Sequence, residues 1–349
     1  MLHISSAVFF VSFALLYNLL GIVNALQNIY DLKKFSTTVS YLLKGVSYTC
    51  KIGNLLIFKK NLLLLDDMQQ DPIIAELQSE EEEIVLKKSL KSSKMLKKFY
   101  IAYIVLSVSI QAIYPLVNKS GSNLWYPFNS QDHFFGVHCF EMLEVIISSC
   151  FNAAANMLTV TLMDMSATQF ILLEHRLQRI EPGLSQGDIM EDILEKIQNY
   201  VDHHNYVYSF TALVEKTFSI GIFCQMGCSV LVVIISVLRA VVMPIKSVEF
   251  LIMAAFCLSM ICEIALYCCY GQKILDASNK ITESCYMSKW YQCDLEVQKY
   301  LSMVMNRGNK SVIMKAIGVF PLTLETLMSI CSSAYSFFAI LVQIHEGSE

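Results

Sequence analysis

The 349-residue chain is 55% hydrophobic and 16% charged, with a mean hydropathy of +0.49 and a formal net charge of −4. A water-soluble domain carries about 25% charged residues, so the composition excludes one and points to a polytopic membrane protein. The small net charge gives no sign of a nucleic-acid partner. Of the twelve cysteines, Cys150, Cys224, Cys228, Cys257, Cys262, Cys268, Cys269 and Cys331 lie in apolar stretches. There they read as small buried hydrophobes, not as a disulfide framework or a metal site.

A helix crosses a bilayer with roughly 20 apolar residues. The first such stretch, Ile4 to Leu26, lacks a basic lead segment and is too long for a signal peptide, which predicts a retained helix. The second, Phe35 to Phe58, carries Tyr41, Lys44, Tyr48 and Lys51 and is expected to face protein or a cavity. The polar segment Lys59 to Lys98 follows, with an acidic run Glu80 to Glu83 and a Glu83–Lys87 pair at helical spacing. Its charge runs read as solvated helix faces. The third span is Phe99 to Val117, with Pro115 near its end. The loop Asn118 to Phe134 is rich in turn residues and aromatics and holds the sequon Asn118-Lys119-Ser120, open to glycosylation only on a luminal side. The fourth span, Val137 to Met165, has Glu141 and Glu144 near one end and Asp164 near the other.

In the segment Ala167 to Thr211, Glu181-Pro182-Gly183 ends one helix. Ser185-x-x-Asp188 resembles a capping box opening another, with Ile189, Ile193, Ile197 and Val201 on one face. His203 and His204 are adjacent, cannot share a helix face as metal ligands, and read as solvated. The fifth span is Phe218 to Leu238 and the sixth Phe250 to Tyr270. A polar stretch, Gly271 to Ile317, leads to the seventh, Pro321 to Ile344. The expected fold is all-α, a polytopic membrane protein with seven transmembrane helices.

The segments Lys59 to Lys98, Arg176 to Lys196 and Lys273 to Lys315 carry 8, 3 and 7 Lys or Arg, against 5 on the other side. The excess of basic residues stays inside, so the N-terminus is expected inside and the C-terminus outside, with Asn118 outside. That topology is opposite to a G-protein-coupled receptor. No internal repeat suggests a transporter, and no nucleophile, base and orienting group converge to suggest an enzyme.

The last stretch is not apolar all round. Glu325, Ser329, Ser332, Ser333, Ser336 and Gln343 fall on one face, interrupted only by Ile340. Leu327, Ile330, Tyr335, Phe338 and Leu341 lie opposite. Such a stripe needs water or protein beside it. It fits a helix lining a water-filled pore that Ile340 narrows near its outer end. It also fits a helix packed in a bundle through its small residues.

Three groups of residues carry a resemblance to a known family. After the sixth span come Tyr270-Gly271-Gln272, read as a turn, then Ser278, Tyr286 and Trp290-Tyr291. Next come Lys299, Met305, Arg307 and Ala316, and finally the closing Ala334-Tyr335-Ser336-Phe337. With Trp125-Tyr126-Pro127-Phe128 in the outer loop, these resemble the insect odorant receptors. The resemblance is specific over roughly the last quarter of the chain. The chain departs from the pattern in having almost no arm before its first span, and Ser311 where Pro is common.

The resemblance implies the odorant-binding subunit of a heteromeric, ligand-gated, nonselective cation channel, a tetramer formed with a shared odorant co-receptor. It implies no cofactor, metal or catalytic residue, and a place in the plasma membrane of a sensory neuron dendrite. Three parts are implied: a six-helix bundle with an odorant pocket (1–270), an anchor segment (271–320), and a pore-lining last helix with a short tail (321–349). Ser336, Ile340 and Gln343 take the pore and gate positions. Tyr286, Trp290, Lys299 and Arg307 belong to the anchor between subunits. The pocket for a small volatile or hydrophobic ligand is expected to be apolar and aromatic, with Tyr41, Tyr48, Tyr114, Met142, Ile146 and Phe250 as its candidates. The alternatives are a related gustatory-type homomeric channel, which Ser336-Phe337 and Gln343-Ile344 fit loosely, and more remotely a G-protein-coupled receptor.

Overall fold

The computed structural model describes residues 2–75, 77, 79–118, 124–128, 132–180, 187–242 and 247–346. Ten helices are found among them: α1 (Leu2–Gln27), α2 (Leu32–Ile57), α3 (Lys59–Gln69), α4 (Pro72–Ala75), α5 (Glu80–Asn118), α6 (Phe134–Gln178), α7 (Gly187–Val242), α8 (Val248–Met287), α9 (Leu295–Gly308) and α10 (Leu324–Glu346). A two-strand antiparallel hairpin, β1 (Lys315–Ala316) and β2 (Phe320–Pro321), precedes α10.

Six of these helices, α1, α5, α6, α7, α8 and α10, are long and apolar enough to cross a membrane. The chain is therefore an all-α, multi-pass membrane protein. The helix α2 has the length, but it carries Lys33, Lys34, Lys44 and Lys51. Its Ser47, Tyr48, Lys51 and Asn54 are buried among the other helices, where polar groups find the partners that lipid does not offer.

Local signals set the helix ends. The Asp31 side chain accepts the Lys34 amide at 3.2 Å ahead of α2. Ser247 accepts the Phe250 amide at 3.1 Å ahead of α8. Glu80 to Glu83 fill the first turn of α5, where carboxylates meet the positive end of the helix dipole. The Ser185 capping box and the Glu181-Pro182-Gly183 break lie outside the described residues. So do the side chains of Ile189 and Ile193, whereas Ile197 is fully buried.

The helices α5 to α8 are 39, 45, 56 and 40 residues long, far more than the roughly 20 that cross a bilayer. Their extensions pack on one another and on α3, α4 and α9, and most fully buried large side chains lie there: Leu65, Phe170, Leu173, Leu177, Ile197, Phe210, Ile274 and Ile281. Along the spans, Leu19, Val105, Leu143, Leu231 and Leu258 face outward. Water drives apolar residues together in the extensions, while hydrocarbon is as good a neighbour as another leucine in the spans. Cys150, Cys262, Cys269 and Cys331 are outward-facing in the same way, and only Cys268 of the eight span cysteines is fully buried.

Three expectations need correction. His203 and His204 are buried, not solvated. His203 Nε2 lies 3.0 Å from Gln169 Oε1 and its Nδ1 lies 3.4 Å from Arg176. His204 packs against the Tyr208 ring at 4.8 Å. Helices α6 and α7 are long enough to close over both rings where a short loop would have exposed them. The acidic run is not wholly a solvated face. Glu82 is buried in a two-point pair with Arg176 (2.9 and 3.0 Å), whereas Glu83 keeps its exposed pairing with Lys87 at 2.7 Å. Finally, Tyr270-Gly271-Gln272 is no turn, since α8 passes through it unbroken.

Candidate functional site

Five helices meet in a buried polar network. Lys51 of α2 donates to the Oδ1 atoms of Asn152 (2.5 Å) and Asn156 (2.6 Å) on α6. Asn152 donates through Nδ2 to Glu263 of α8 (2.8 Å), so one amide bridges the lysine and the carboxylate. Gln225 of α7 also donates to Glu263 and accepts from Ser47 of α2 at 2.5 Å. Asn156 donates to Tyr100 of α5 (2.7 Å) and accepts from Tyr267 of α8 (2.6 Å). Leaving any of these groups unpaired in the span would cost about 1–3 kcal/mol.

Two narrow cavities of about 10 and 30 Å³ adjoin this network. The smaller is lined by Ser47, Tyr48, Ser148, Gln225 and Cys228, the larger by Tyr100, Tyr103, Ser107 and Ser259. Lys44, Asn152, Met260 and Glu263 line both. Val232 completes the smaller cavity and Ile104, Val108 and Ser149 the larger, so the lining mixes polar side chains with apolar and aromatic ones. Of the expected residues only Tyr48 lines it. Tyr41 packs on the Phe256 ring at 5.9 Å, and Met142 and Phe250 are half-buried elsewhere. Ile146 faces outward, 47% exposed. The Tyr114 side chain lies outside the described residues, as does that of Asn118. Asn152, Gln225 and Glu263 are not among the residues expected from the sequence, although they carry the same signal as Lys44 and Lys51, a polar or ionisable residue inside an apolar stretch.

The helix α10 stands at the edge of the bundle. No residue of its apolar segment Leu324–Ile344 is buried. Leu327 and Ile330 pack on the main core and Ala334 on a cluster of Val232, Val233 and Met260. Glu325, Ser329, Ser332, Ser333, Ser336 and Gln343 are exposed along one side, with Ile340 among them at 56%. Tyr335 and Phe338 are exposed on the other side. Among the described residues the stripe is therefore exposed and not used in packing.

The segment leading into α10 is fixed at both flanks. A Cβ added to Gly271 of α8 would meet Leu322 O at 2.1 Å, so only glycine lets the strand pass. Gln272 accepts the Leu324 amide at 3.3 Å. Ser278 accepts the Val312 amide at 3.2 Å. The Ser219 hydroxyl of α7 accepts from the Ile317 amide and donates to Lys315 O, and Phe223 packs on Phe320 at 5.6 Å. Ile317 and Gly318 have φ of +51° and +67°, and a β-branched residue there is uncommon. The Ser219 bonds hold it in place.

In the anchor segment, Tyr286 is exposed together with Met287, Tyr291, Leu295 and Met303. Trp290 is half-buried against the core. Lys299 is exposed. Arg307 lies over the Tyr208 ring at 4.8 Å. Nearby, in the extension of α7 ahead of the apolar stretch expected from Phe218 to Leu238, burial and then the Arg176 charge push His203 down to about 3. Burial, with Arg307 adding to it, holds His204 at about 4. Lys273 pairs with Asp164 at 2.6 Å, tying α8 to α6.

Comparison with known proteins gives this arrangement a context. Two structures of the olfactory receptor OR5 from Machilis hrabei, one in complex with eugenol, superpose with a TM-score of 0.83, covering 96% of this chain and 88% of theirs at 13% and 14% identity. Odorant receptor 67a of Drosophila melanogaster is 24% identical over 168 residues, which is 48% of this chain and 41% of that protein. The odorant receptor coreceptor of Aedes aegypti is 19% identical over 148 residues, 42% of this chain and 31% of that protein. The chain thus spans about half or less of the length of the curated relatives it matches. The family model described as 7tm Odorant receptor matches residues 24–335. The chain belongs to the insect odorant receptor family.

Proposed function

We propose that this chain is the odorant-binding subunit of a heteromeric, ligand-gated, nonselective cation channel, assembled as a tetramer with a shared odorant co-receptor in the plasma membrane of a sensory neuron. The observation that carries the reading is the polar side of α10, exposed from Glu325 to Gln343 among the described residues. Water in a shared pore would satisfy it, with Ile340 as a hydrophobic constriction that gates by dewetting and Ser336 and Gln343 beside the ion path. In this reading α2 is a seventh crossing helix. The N-terminus is inside, the C-terminus outside, and Asn118 is on the glycosylated side. Residues 1–270 hold the ligand, 271–320 anchor the subunits through the face carrying Tyr286, Trp290, Lys299 and Arg307, and 321–349 line the pore. The ligand is a small volatile, and binding favours the open state only by its preference for that state.

The test is whole-cell current from cells expressing this chain with and without an insect odorant co-receptor, against a broad odorant panel. Current that requires both chains and persists when G-protein signalling is blocked is expected. Current from this chain alone would favour a gustatory-type homomer, and current lost with the G-protein block would remove the channel reading.

A further inference from the structure

The part of α5 ahead of its apolar stretch has two faces with different duties. Toward the bundle, Ser89 shares a hydrogen bond with Thr168 (2.8 Å) and accepts one from Lys273 (3.2 Å), and Ser93 donates to Asp164. Lys273 in turn pairs with Asp164 at 2.6 Å. This polar layer ties α5 to α6 and α8. Away from the bundle stand Lys87, Lys91, Lys94 and Lys98, all exposed. Steps of four, three and four put them on one helix face, opposite Ser89 and Ser93. From Phe99 onward the exposed residues are Phe99, Ile101, Val105 and Leu106, and residues 99–118 include no charged side chain. The lysine stripe ends where the apolar surface begins.

Acid does not balance the stripe. Residues 84–118 hold six lysines, all between Lys87 and Lys98, and no carboxylate. Glu83 takes Lys87 at 2.7 Å. Among the described residues, Lys91, Lys94, Lys97 and Lys98 make no ion pair. A solvated helix face gains from opposite charges four residues apart, and this one has them only at its far end. Depth along the helix follows from a rise of about 1.5 Å per residue. Lys97 and Lys98 lie within about 3 Å of the level of Phe99, Lys94 about 8 Å away, Lys91 about 12 Å and Lys87 about 18 Å. A headgroup with a single phosphate at the membrane surface meets only the first two. A phosphorylated inositol ring stands out from the surface and meets Lys94 and Lys91 as well.

We infer that Lys91, Lys94, Lys97 and Lys98 form a binding site for a polyanionic lipid headgroup, that of a phosphorylated inositol lipid in the leaflet around this end of α5. Lysines beside a membrane-crossing helix attract anionic lipid, with about a fivefold gain in affinity for each one near the surface. Met95 and Phe99, one turn apart and 59% and 67% exposed, lie beside Lys98 and offer the acyl chains an apolar flank. Ser89 and Ser93 occupy the other side of the same turns, so a headgroup that holds the stripe also steadies the Asp164–Lys273 layer between α6 and α8. The site requires only that α5 crosses a membrane, and it stands apart from the channel reading.

The experiment is native mass spectrometry of the purified full chain in neutral detergent, titrated with short-chain phosphatidylinositol bisphosphate, phosphatidylserine and phosphatidylcholine, and with inositol trisphosphate as the free headgroup. The inositol lipid is expected to bind about tenfold tighter than phosphatidylserine and about 100-fold tighter than phosphatidylcholine. Lys94→Gln with Lys98→Gln is expected to weaken it about 10- to 30-fold. Lys87→Gln with Lys88→Gln lies farther from the surface, and Lys87 is already paired, so this variant is expected to change binding by less than about threefold. Equal binding of the inositol lipid and phosphatidylcholine overturns the inference and leaves the lysines a solvated face. Equal binding of the inositol lipid and phosphatidylserine overturns the headgroup class. Inositol trisphosphate binding as tightly as the lipid overturns the lipid as occupant in favour of a soluble polyphosphate. A loss in the Lys87 and Lys88 variant as large as in the Lys94 and Lys98 variant, or no loss in the latter, overturns the placement of the site. The ranking of the four probes on the wild type decides the occupant even where a variant fails to fold.

Discussion

Gly271 of α8 and Leu322, just ahead of α10, approach so closely that a Cβ on the glycine would lie 2.1 Å from the leucine carbonyl oxygen. Gly271→Ala is therefore expected to push α10 away from α8 and to destabilise the chain by about 1–3 kcal/mol, the usual range for overpacking. Gly53→Ala, at a position with nothing within 4 Å, is expected to leave stability unchanged or raise it slightly. Melting of both purified variants against the wild type checks this, and an unshifted Gly271→Ala would disprove the packing argument.

Ile340 is a large apolar residue on the exposed polar side of α10, between Ser336 and Gln343. Ile340→Ala is expected to raise the ligand-free current of the co-expressed channel severalfold, because a smaller ring dewets less readily. Whole-cell recording with surface labelling is the check. An Ile340→Ala channel with unchanged leak and unchanged ligand response would count against Ile340 as the gate.

The Glu82–Arg176 pair is buried on both sides. Removing one partner strands the other, so Arg176→Met is expected to cost about 3–5 kcal/mol, while Glu82→Met with Arg176→Met is expected to recover most of it. Thermal melts of the single and double variants read this directly. A double variant no more stable than the single one would show that the pair is not the source of the loss.

The depressed His203 gives stability a pH dependence of definite sign. Between 6.5 and about 3 the unfolded imidazole binds a proton that the folded one refuses. Stability is thus fully present above pH 6.5 and falls as the pH drops through that window, by about 1.4 kcal/mol per unit for this group. At pH 5 its share of the loss is about 2 kcal/mol. His203→Gln is expected to flatten the dependence of the melting temperature between pH 7.5 and 5, and an equally steep variant would rule out His203 as its source.

The spans and the polar stripe were legible because hydropathy and helical period are local properties of the chain. Lys51 was readable as inward-facing for the same reason. Its partners were not, because Asn152 and Glu263 are about a hundred and two hundred residues away, and only the packing of α2, α6 and α8 brings them together. The Tyr-Gly-Gln motif suggests a turn because glycine commonly marks one. Its purpose, close passage of a strand from another part of the chain, depends on Leu322 and cannot be seen from residues 270–272 alone. The burial of His203 and His204 is hidden from the sequence for a related reason, since burial at a helix extension is decided by the helices that close over it.

The helix α7 places Gln225, which touches the cavity, two residues beyond Phe223 and six beyond Ser219, which hold the hairpin ahead of α10. At a rise of about 1.5 Å per residue, these duties sit within roughly 9 Å on one rigid rod. A substitution that retunes the cavity at Gln225 also shifts the rod on which the hairpin rests. Under the proposed channel reading, a Gln225 substitution is expected to alter ligand selectivity and ligand-free activity together, and a compensating change along the Ser219–Phe223 face is expected to separate them.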